Sequence, residues 1–478
     1  QEIEVSVENQ DNVDSLGNGS ILKIYSNPEK ITNLKLIGHE IEEIPPGVIF
    51  SNAGAIEVNL RDNSFTTFPN FKKQFPNFTK INISQDVNKV SNTGEAVVKM
   101  DVEFAELKSK IPNDIIELNC GQAFQDFDAG TSDSPLAPNE FNLAPFDKLE
   151  VLNLSRCGTG EGVGLYPTPA ISTTVKTLKL NHNSYSIFDE ATLPDNNSLE
   201  VIDFQDNESL RCSPVSPVHK FYLNGTYSDN IKSFNVATTM LGIPNLSSKL
   251  KLEYFSAEGM DYDGQGDSPP ADRYSDERFQ LAPGGISKFA SCTALETLTL
   301  KNAHVGGPIP TFAGNTSLET LNLQNTDLIN WGYDTPVSFA LHNLGFPPSL
   351  RNFTYEYNRG DSDINSPTMT NELPSRAFLK VDGTSDTGFT PINFSSFTYK
   401  SNKVTGGVFP QISATTINIV GNKFTSLEQF PVQAASKLEK LEAQNNELNG
   451  EFDLGTLFLG NVEYEFLEEL NFSSNKFT

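Results

Sequence analysis

The stretch LETLTLKNAHVGGPIPTFAGNTSLETLNLQNTDL, residues 295–328, writes one unit twice. Leu295, Leu298 and Leu300 return as Leu318, Leu321 and Leu323, 23 residues later. The LxxLxL spacing alternates too tightly for a helix face. It suits a short strand whose alternate side chains enter a core while those between them face solvent. The same rung recurs along the chain, starting at Ile31, Ala55, Phe78, Ile115, Leu149, Val175, Leu199, Ile231, Leu252, Leu295, Leu318, Leu350, Phe394, Ala414, Leu438 and Leu467. These sixteen starts have a mean step of about 29 residues and individual steps of 20 to 44, so the strands repeat while the connections vary. LEVLNLSRC from Leu149 and LETLNLQNT from Leu318 are the cleanest rungs; those at Ile115, Ile231 and Leu252 are the weakest. A single rung cannot bury its own apolar edge, so each is stable only when stacked on neighbours.

The pattern resembles the leucine-rich repeat superfamily, whose signature LxxLxLxxNxL the chain follows over most of its length. Asn63, Asn183, Asn207, Asn358, Asn402, Asn422, Asn446 and Asn475 stand at the signature asparagine, and Cys157 takes the same place. His39, Asp86, Ala303 and Thr326 depart from it. The segments VGGPIP (305–310), VTGGVFP (404–410) and LNGEF (448–452) resemble the LxGxIP continuation of the plant-type extracellular subclass. The resemblance implies an α/β solenoid, a horseshoe or right-handed superhelix with a parallel β-sheet on its concave face. Turns, 3-10 segments and short helices would line the convex face. It also implies that the signature asparagine turns inward and hydrogen-bonds the backbone of neighbouring turns. Phe353, Phe397 and Phe472 replace leucine at core positions.

Composition narrows the function classes. A net charge of −27 argues against nucleic acid or an anionic membrane as partner. No apolar run approaches the roughly 20 residues that span a bilayer. The chain begins at Gln1, which suggests a removed signal peptide or a trimmed chain, and twelve N-x-S/T sequons suggest a glycosylated protein, secreted or at the cell surface. Asn77, Asn196, Asn224, Asn245, Asn315, Asn352 and Asn393 are the sequons expected to carry glycans. Rung consensus itself creates others.

Residues 1–30 precede the first rung, and EIEVSV (2–7) with ILKIYS (21–26) reads as a β-hairpin-like cap over its edge. Residues 31–478 form the solenoid of about sixteen irregular repeats, expected to continue beyond Thr478 or to dock there onto another copy. Within 87–114, EFAELKSK (103–110) reads as a short helix and VVKMDVEF as a further degenerate rung; 121–147 reads as an acidic loop. Insertions at 260–290, 329–349 and 359–390 are long enough to carry binding, and 336–346 reads as a convex helix. Four cysteines do not make a disulfide framework: Cys120 and Cys157 read as buried small hydrophobes, with a bridge between them as the alternative.

Chemical motifs are sparse. In DYDGQGDSPPAD, Asp261, Asp263, Gln265 and Asp272 are spaced like a calcium loop, though without its closing Glu; no other cofactor is expected. The RGD tripeptide at 359–361 is too short to outweigh chance. Five isolated histidines, no GxSxG, no HExxH and no CxxC leave an enzyme without support. The residue between the second and third core positions is asparagine in eight of the sixteen rungs, giving a polar, near-neutral stripe. Asn153, Asn235, Asn322, Thr354, Thr398, Asn418 and Asn471, with Tyr357, are the candidate binding residues for another protein or a surface glycan. The expected function is non-enzymatic recognition or adhesion through this face and the inserted loops. Self-assembly into a filament or surface layer is the alternative.

Overall fold

The computed structural model describes residues 2–5, 30–86, 100–135, 142–157, 168–212, 227–258, 285–301, 311–324, 346–356, 379–381, 389–401, 412–425, 437–450 and 466–478, with brief gaps inside some stretches. The chain falls into two compact units, Gln1–Ile231 with Thr239–Leu241 and Lys232–Thr238 with Gly242–Thr478.

In the first unit, strands β1 (Glu2–Val5), β2 (Asn33–Leu36), β3 (Glu57–Asn59), β4 (Lys80–Asn82), β5 (Glu117–Asn119), β6 (Val151–Asn153), β7 (Thr177–Lys179) and β8 (Val201–Asp203) follow one another in a parallel ladder. Leu34, Val58, Ile81, Leu118, Leu152, Leu178 and Ile202 are cross-strand partners, all buried.

The second unit repeats the scheme with β9 (Ser233–Asn235), β10 (Tyr254–Glu258), β11 (Thr297–Lys301), β12 (Thr320–Gln324), β13 (Asn352–Glu356), β14 (Asn393–Lys400), β15 (Ser413–Asn418), β16 (Lys440–Glu442) and β17 (Glu469–Asn471). Phe234, Phe255, Leu298, Leu321, Phe353, Phe397, Ile417 and Leu441 form its buried row. Phe353 and Phe397 stack with ring centroids 5.2 Å apart, as do Tyr355 and Tyr399 at 5.4 Å, so aromatic residues replace leucine without breaking the column. In the last rung Leu470 and Phe472 are only half-buried.

All sixteen rungs read from the sequence are strands of these ladders, including the three weakest. Glu2–Val5 adds a further strand, parallel to β2; residues 21–26, its expected hairpin partner, lie outside the described residues.

The inward asparagines satisfy backbone groups that the turn after each strand would leave unpaired. Asn63 donates from Nδ2 to the carbonyls of Leu36 and Leu60, both at 2.8 Å, while its Oδ1 accepts from the Ile41 amide at 3.1 Å. Asn183, Asn207, Asn422, Asn446 and Asn475 each donate in the same way to the preceding rung and to their own. Cys157 keeps the link with its thiol, which donates to the Cys120 carbonyl at 3.1 Å. Asn358 and Asn402 lie outside the described residues. The residue just before the inward position adopts a left-handed backbone in most rungs: Asp62, Arg156, His182, Asp206, Asn445 and Ser474 have φ between 54° and 60°. Gly421 takes that place at φ 72°, where a Cβ would come within 2.8 Å of Ser401 Oγ.

The connections hold α1 (Phe71–Gln74), α2 (Phe104–Lys110) and a 3-10 segment, Gly285–Ser291. Helix α2 stands where EFAELKSK predicts one. The degenerate rung read at VVKMDVEF is corrected: β4 pairs directly with β5, and Met100–Glu103 forms a separate two-strand ladder with Phe124–Asp128. That second strand also corrects the loop reading of 121–147; Phe124 and Phe127 stand three residues apart, and the pairing register shifts between Met100 and Asp101, so the strand shows no period-two pattern. The helix read at 336–346 and most of the three insertions lie outside the described residues. Cys120, Cys157 and Cys292 are buried free thiols. Burial pushes the Cys292 thiol up to about 11 and raises Cys120 as well, which keeps both protonated and inert.

Candidate recognition surface

Side chains alternate across a strand, so every rung that buries one residue between two others turns those two outward. Register then makes rows. In the first unit the row containing Asn153 reads Lys35, Asn59, Asn82, Asn119, Asn153, Lys179 and Asp203. In the second it reads Asn235, Ser256, Thr299, Asn322, Thr354, Thr398, Asn418, Glu442 and Asn471. The structure thus brings the candidate binding residues into one registered row within each unit. Tyr357 lies outside the described residues.

Hydrogen bonds divide that row into two kinds of residue. The Oδ1 of Asn59, Asn82, Asn119, Asn153, Asn235, Asn418 and Asn471 accepts from the backbone amide two residues on, at 3.0–3.2 Å. Asp203 does the same with Gln205 at 3.2 Å. These are Asx turns: each closes its strand and pairs the first amide that leaves the sheet. Their prevalence therefore serves the fold first, and their outer carbonyl is already engaged.

Strands β10 to β14 run longer. Here the row carries Ser256, which is buried, and then the half-buried Thr299, Asn322, Thr354 and Thr398, and the ladder continues for two more residues. β-branched threonine favours the extended backbone and does not offer the Asx turn. Asn322 is the exception among the eight asparagines. Its strand runs on to Gln324, and its Oδ1 is shielded from solvent without a hydrogen-bond partner. Two rows flank it. Tyr254, Thr297, Thr320, Asn352 and Ser396 form one; Glu258, Lys301, Gln324, Glu356 and Lys400 form the other. The charges of the latter neutralise one another, with Lys301 on Glu258 at 2.5 Å and Lys400 on Glu356 at 2.8 Å. The rows through β11 to β13 expose no apolar side chain; Tyr254, 37% exposed, borders them on β10.

A polar cluster in the first unit was not read from the sequence. His182 Nδ1 lies 2.6 Å from Asp206 Oδ2, and Arg156 Nη2 lies 3.1 Å from His182 Nε2. All three hold the left-handed position in successive rungs, so the repeat register was the signal that would have found them. The guanidinium engages the outer imidazole nitrogen, so the three side chains tie successive turns together. Burial raises the Asp203 carboxyl against the opposing pull of its bond from the Gln205 amide and of Lys179.

The structure sorts the sequons. Asn315 is corrected: it is fully buried, and its Nδ2 donates to the carbonyls of Phe289 at 3.0 Å and Cys292 at 2.7 Å, which leaves no room for a glycan. Asn77, Asn352 and Asn393 are exposed. Asn352 stands in the sheet rows themselves, with Nδ2 3.3 Å from Thr320 Oγ1. Asn196, Asn224 and Asn245 lie outside the described residues, as do Asp261, Asp263, Gln265 and Asp272 of the calcium-like loop. Among the described residues no group of His, Cys, Asp and Glu could hold a metal ion, and no helix is long and apolar enough to cross a membrane.

No protein-family model and no curated protein sequence matches the chain. Solved structures do. A plant peptide hormone receptor, RGFR1 in complex with RGF2, is 12% identical with a TM-score of 0.52, over 96% of this chain and 65% of the receptor chain. The Arabidopsis receptor kinase HAESA, in complex with the peptide hormone IDA and the co-receptor SERK1, is 16% identical with a TM-score of 0.50, over 96% of this chain and 73% of that one. The chain thus spans less than two thirds of the length of the first of these. With the ladders, the inward asparagines and this likeness together, the chain has the leucine-rich repeat fold.

Proposed function

We propose that the chain is a non-enzymatic recognition module that holds another macromolecule, a protein or a glycan, on the solvent face of its repeat sheet outside the cell. The observation that carries this reading is the field on β11 to β14, where three registered rows of hydroxyl, amide and mutually neutralised charged groups face solvent on a continuous ladder. Such a surface presents many directional donors and acceptors whose positions the backbone fixes, which favours polar recognition over uptake of a small apolar ligand. The two receptors of like fold are bound to peptide hormones in their structures, which accords with a binding role. An extracellular location accords with the exposed sequons Asn77 and Asn393; a glycan on Asn352 would instead cover the rows. Affinity capture on the immobilised chain, beside a Thr354→Arg variant, tests the reading. Macromolecules retained by the chain and lost with the variant support it; equal retention by both overturns it.

A further inference from the structure

The recognition reading leaves the partner's class open, and the long-strand field narrows it. We infer that the face centred on Asn322 is a binding site for an uncharged polysaccharide, a chain of neutral sugar rings laid across β10 to β14. The inference rests on the recognition reading above and adds the chemistry of the ligand.

Four observations converge on this face. Every other asparagine of the row spends its Oδ1 on an Asx turn, whereas Asn322 Oδ1 has no partner and is shielded from water. The Asn322 side chain is left out of any such turn and stays in the outward row of a longer strand, between Thr299 and Thr354. Thr299 and Thr354 are its cross-strand neighbours and Thr398 follows, so hydroxyl groups recur at the strand spacing of about 4.8 Å. A hydroxyl both donates and accepts, as a sugar hydroxyl does, so a polyol can pair with each rung whichever way its own hydroxyls turn.

Charge and apolar content then separate the ligand classes. Lys301 and Lys400, the cations of these rows, are neutralised by Glu258 and Glu356, so the rows offer little to an anionic polymer in a chain of net charge −27. A protein partner anchors through aromatic, aliphatic or arginine side chains seated in apolar pockets, and β11 to β13 offer none. Tyr254, an exposed aromatic ring on β10, borders the rows and gives a sugar ring an apolar face to stack on.

The test measures retention of the 478-residue chain on soluble mannan, xyloglucan and β-1,3-glucan, with alginate as the anionic control, by affinity electrophoresis and calorimetry. A triple variant, Thr299→Val with Thr354→Val and Thr398→Val, removes three hydroxyls and keeps β-branched side chains, so the strands persist. Its folding is checked by circular dichroism. Losing three neutral hydrogen bonds should weaken binding roughly tenfold to several hundredfold. Lys148→Ala, at an exposed loop residue, should bind as the parent does. Retention on a neutral polysaccharide that 0.5 M salt leaves unchanged and the triple variant loses is the expected result. Three outcomes overturn the inference: no retention on any neutral polymer, retention on alginate alone, or retention that the triple variant keeps. If a peptide or protein ligand captured by the chain is lost with the same variant, the polysaccharide is wrong and the recognition reading stands. If no captured ligand is affected by this variant or by Thr354→Arg, both fail.

Discussion

Asn59 and Asn63 lie four residues apart in one rung, yet the structure assigns them opposite consequences on substitution. Asn63 is fully buried, donates to Leu36 and Leu60 of two adjacent rungs and accepts from the His39 and Ile41 amides. Asn63→Ala removes these bonds together and strands buried carbonyl and amide groups that water cannot reach. At about 1–3 kcal/mol for each buried group left unpaired, and with part of the loss recovered by local relaxation, the cost is about 3–6 kcal/mol. Asn59 faces outward and accepts from the Arg61 amide at 3.2 Å. Solvent replaces that bond, so Asn59→Ala should cost under about 1 kcal/mol. For a unit of this size each kcal/mol moves Tm by about 2–4 °C, so Asn63→Ala should melt about 6–24 °C below the parent and Asn59→Ala within about 4 °C of it. Circular dichroism melts, with hydrogen exchange at the Ile41 amide as a local probe, read the difference. Equal melting of the two variants would refute the inward-turning asparagine as the device that joins rungs.

Further outcomes follow from the same coordinates. Leu321→Ala, at a fully buried position between Leu298 and Phe353, should cost about 2–5 kcal/mol in urea unfolding, whereas Thr320→Ala beside it should change stability by less than about 1 kcal/mol. Burial raises the Asp203 carboxyl in the folded state, so the native form binds the proton more tightly than the unfolded chain does and stability falls as pH rises from the ordinary aspartate value of 3.8 through the raised pKa. Asp203→Asn keeps the acceptor for the Gln205 amide and removes the charge; it should raise Tm at pH 7 and leave it unchanged near pH 3. Gly421→Ala meets both a left-handed backbone and Ser401 Oγ, and should lower Tm by several degrees, with partial recovery in the Ser401→Ala background. If the chain is made in a glycosylating secretory host, peptide mapping of the folded, secreted fraction should find Asn315 unmodified, because both of its amide hydrogens are spent inside the core.

The ladder was legible because one spacing, LxxLxL, fixes strand, register and buried face at once; even the poorly matched rung at Ile231 had to obey its neighbours. What lay between rungs was not. Phe124–Asp128 hid behind three acidic and amide residues, since composition argued for a loop and the register shift of its pairing broke the alternation that marks a strand. The site was half legible. Placing Asn153, Asn322 and Asn418 in the stripe needs only the repeat, but telling an Asx turn from an outward amide needs the strand length. A cue to strand length existed: Thr299, Thr354 and Thr398 fill the position where strands continue, and asparagine fills it where they stop. Asn322 breaks that rule, so only the coordinates could single it out. The sequon at Asn315 misled for a related reason, because a motif of three residues carries no information on which way its asparagine turns.

Distances between spin labels within the second unit test the account most directly. Register places Asn235, Thr299, Thr354, Thr398 and Asn471 in one row. Pulsed electron resonance from a label at position 235 to labels at 354, 398 and 471 spans four, five and eight strand spacings, about 19, 24 and 38 Å at about 4.8 Å each. The increment from 354 to 398, 44 residues apart in sequence, should therefore be a single spacing. An increment several times larger, or distances that grow with residue number instead of rung number, would contradict the stacked-rung account.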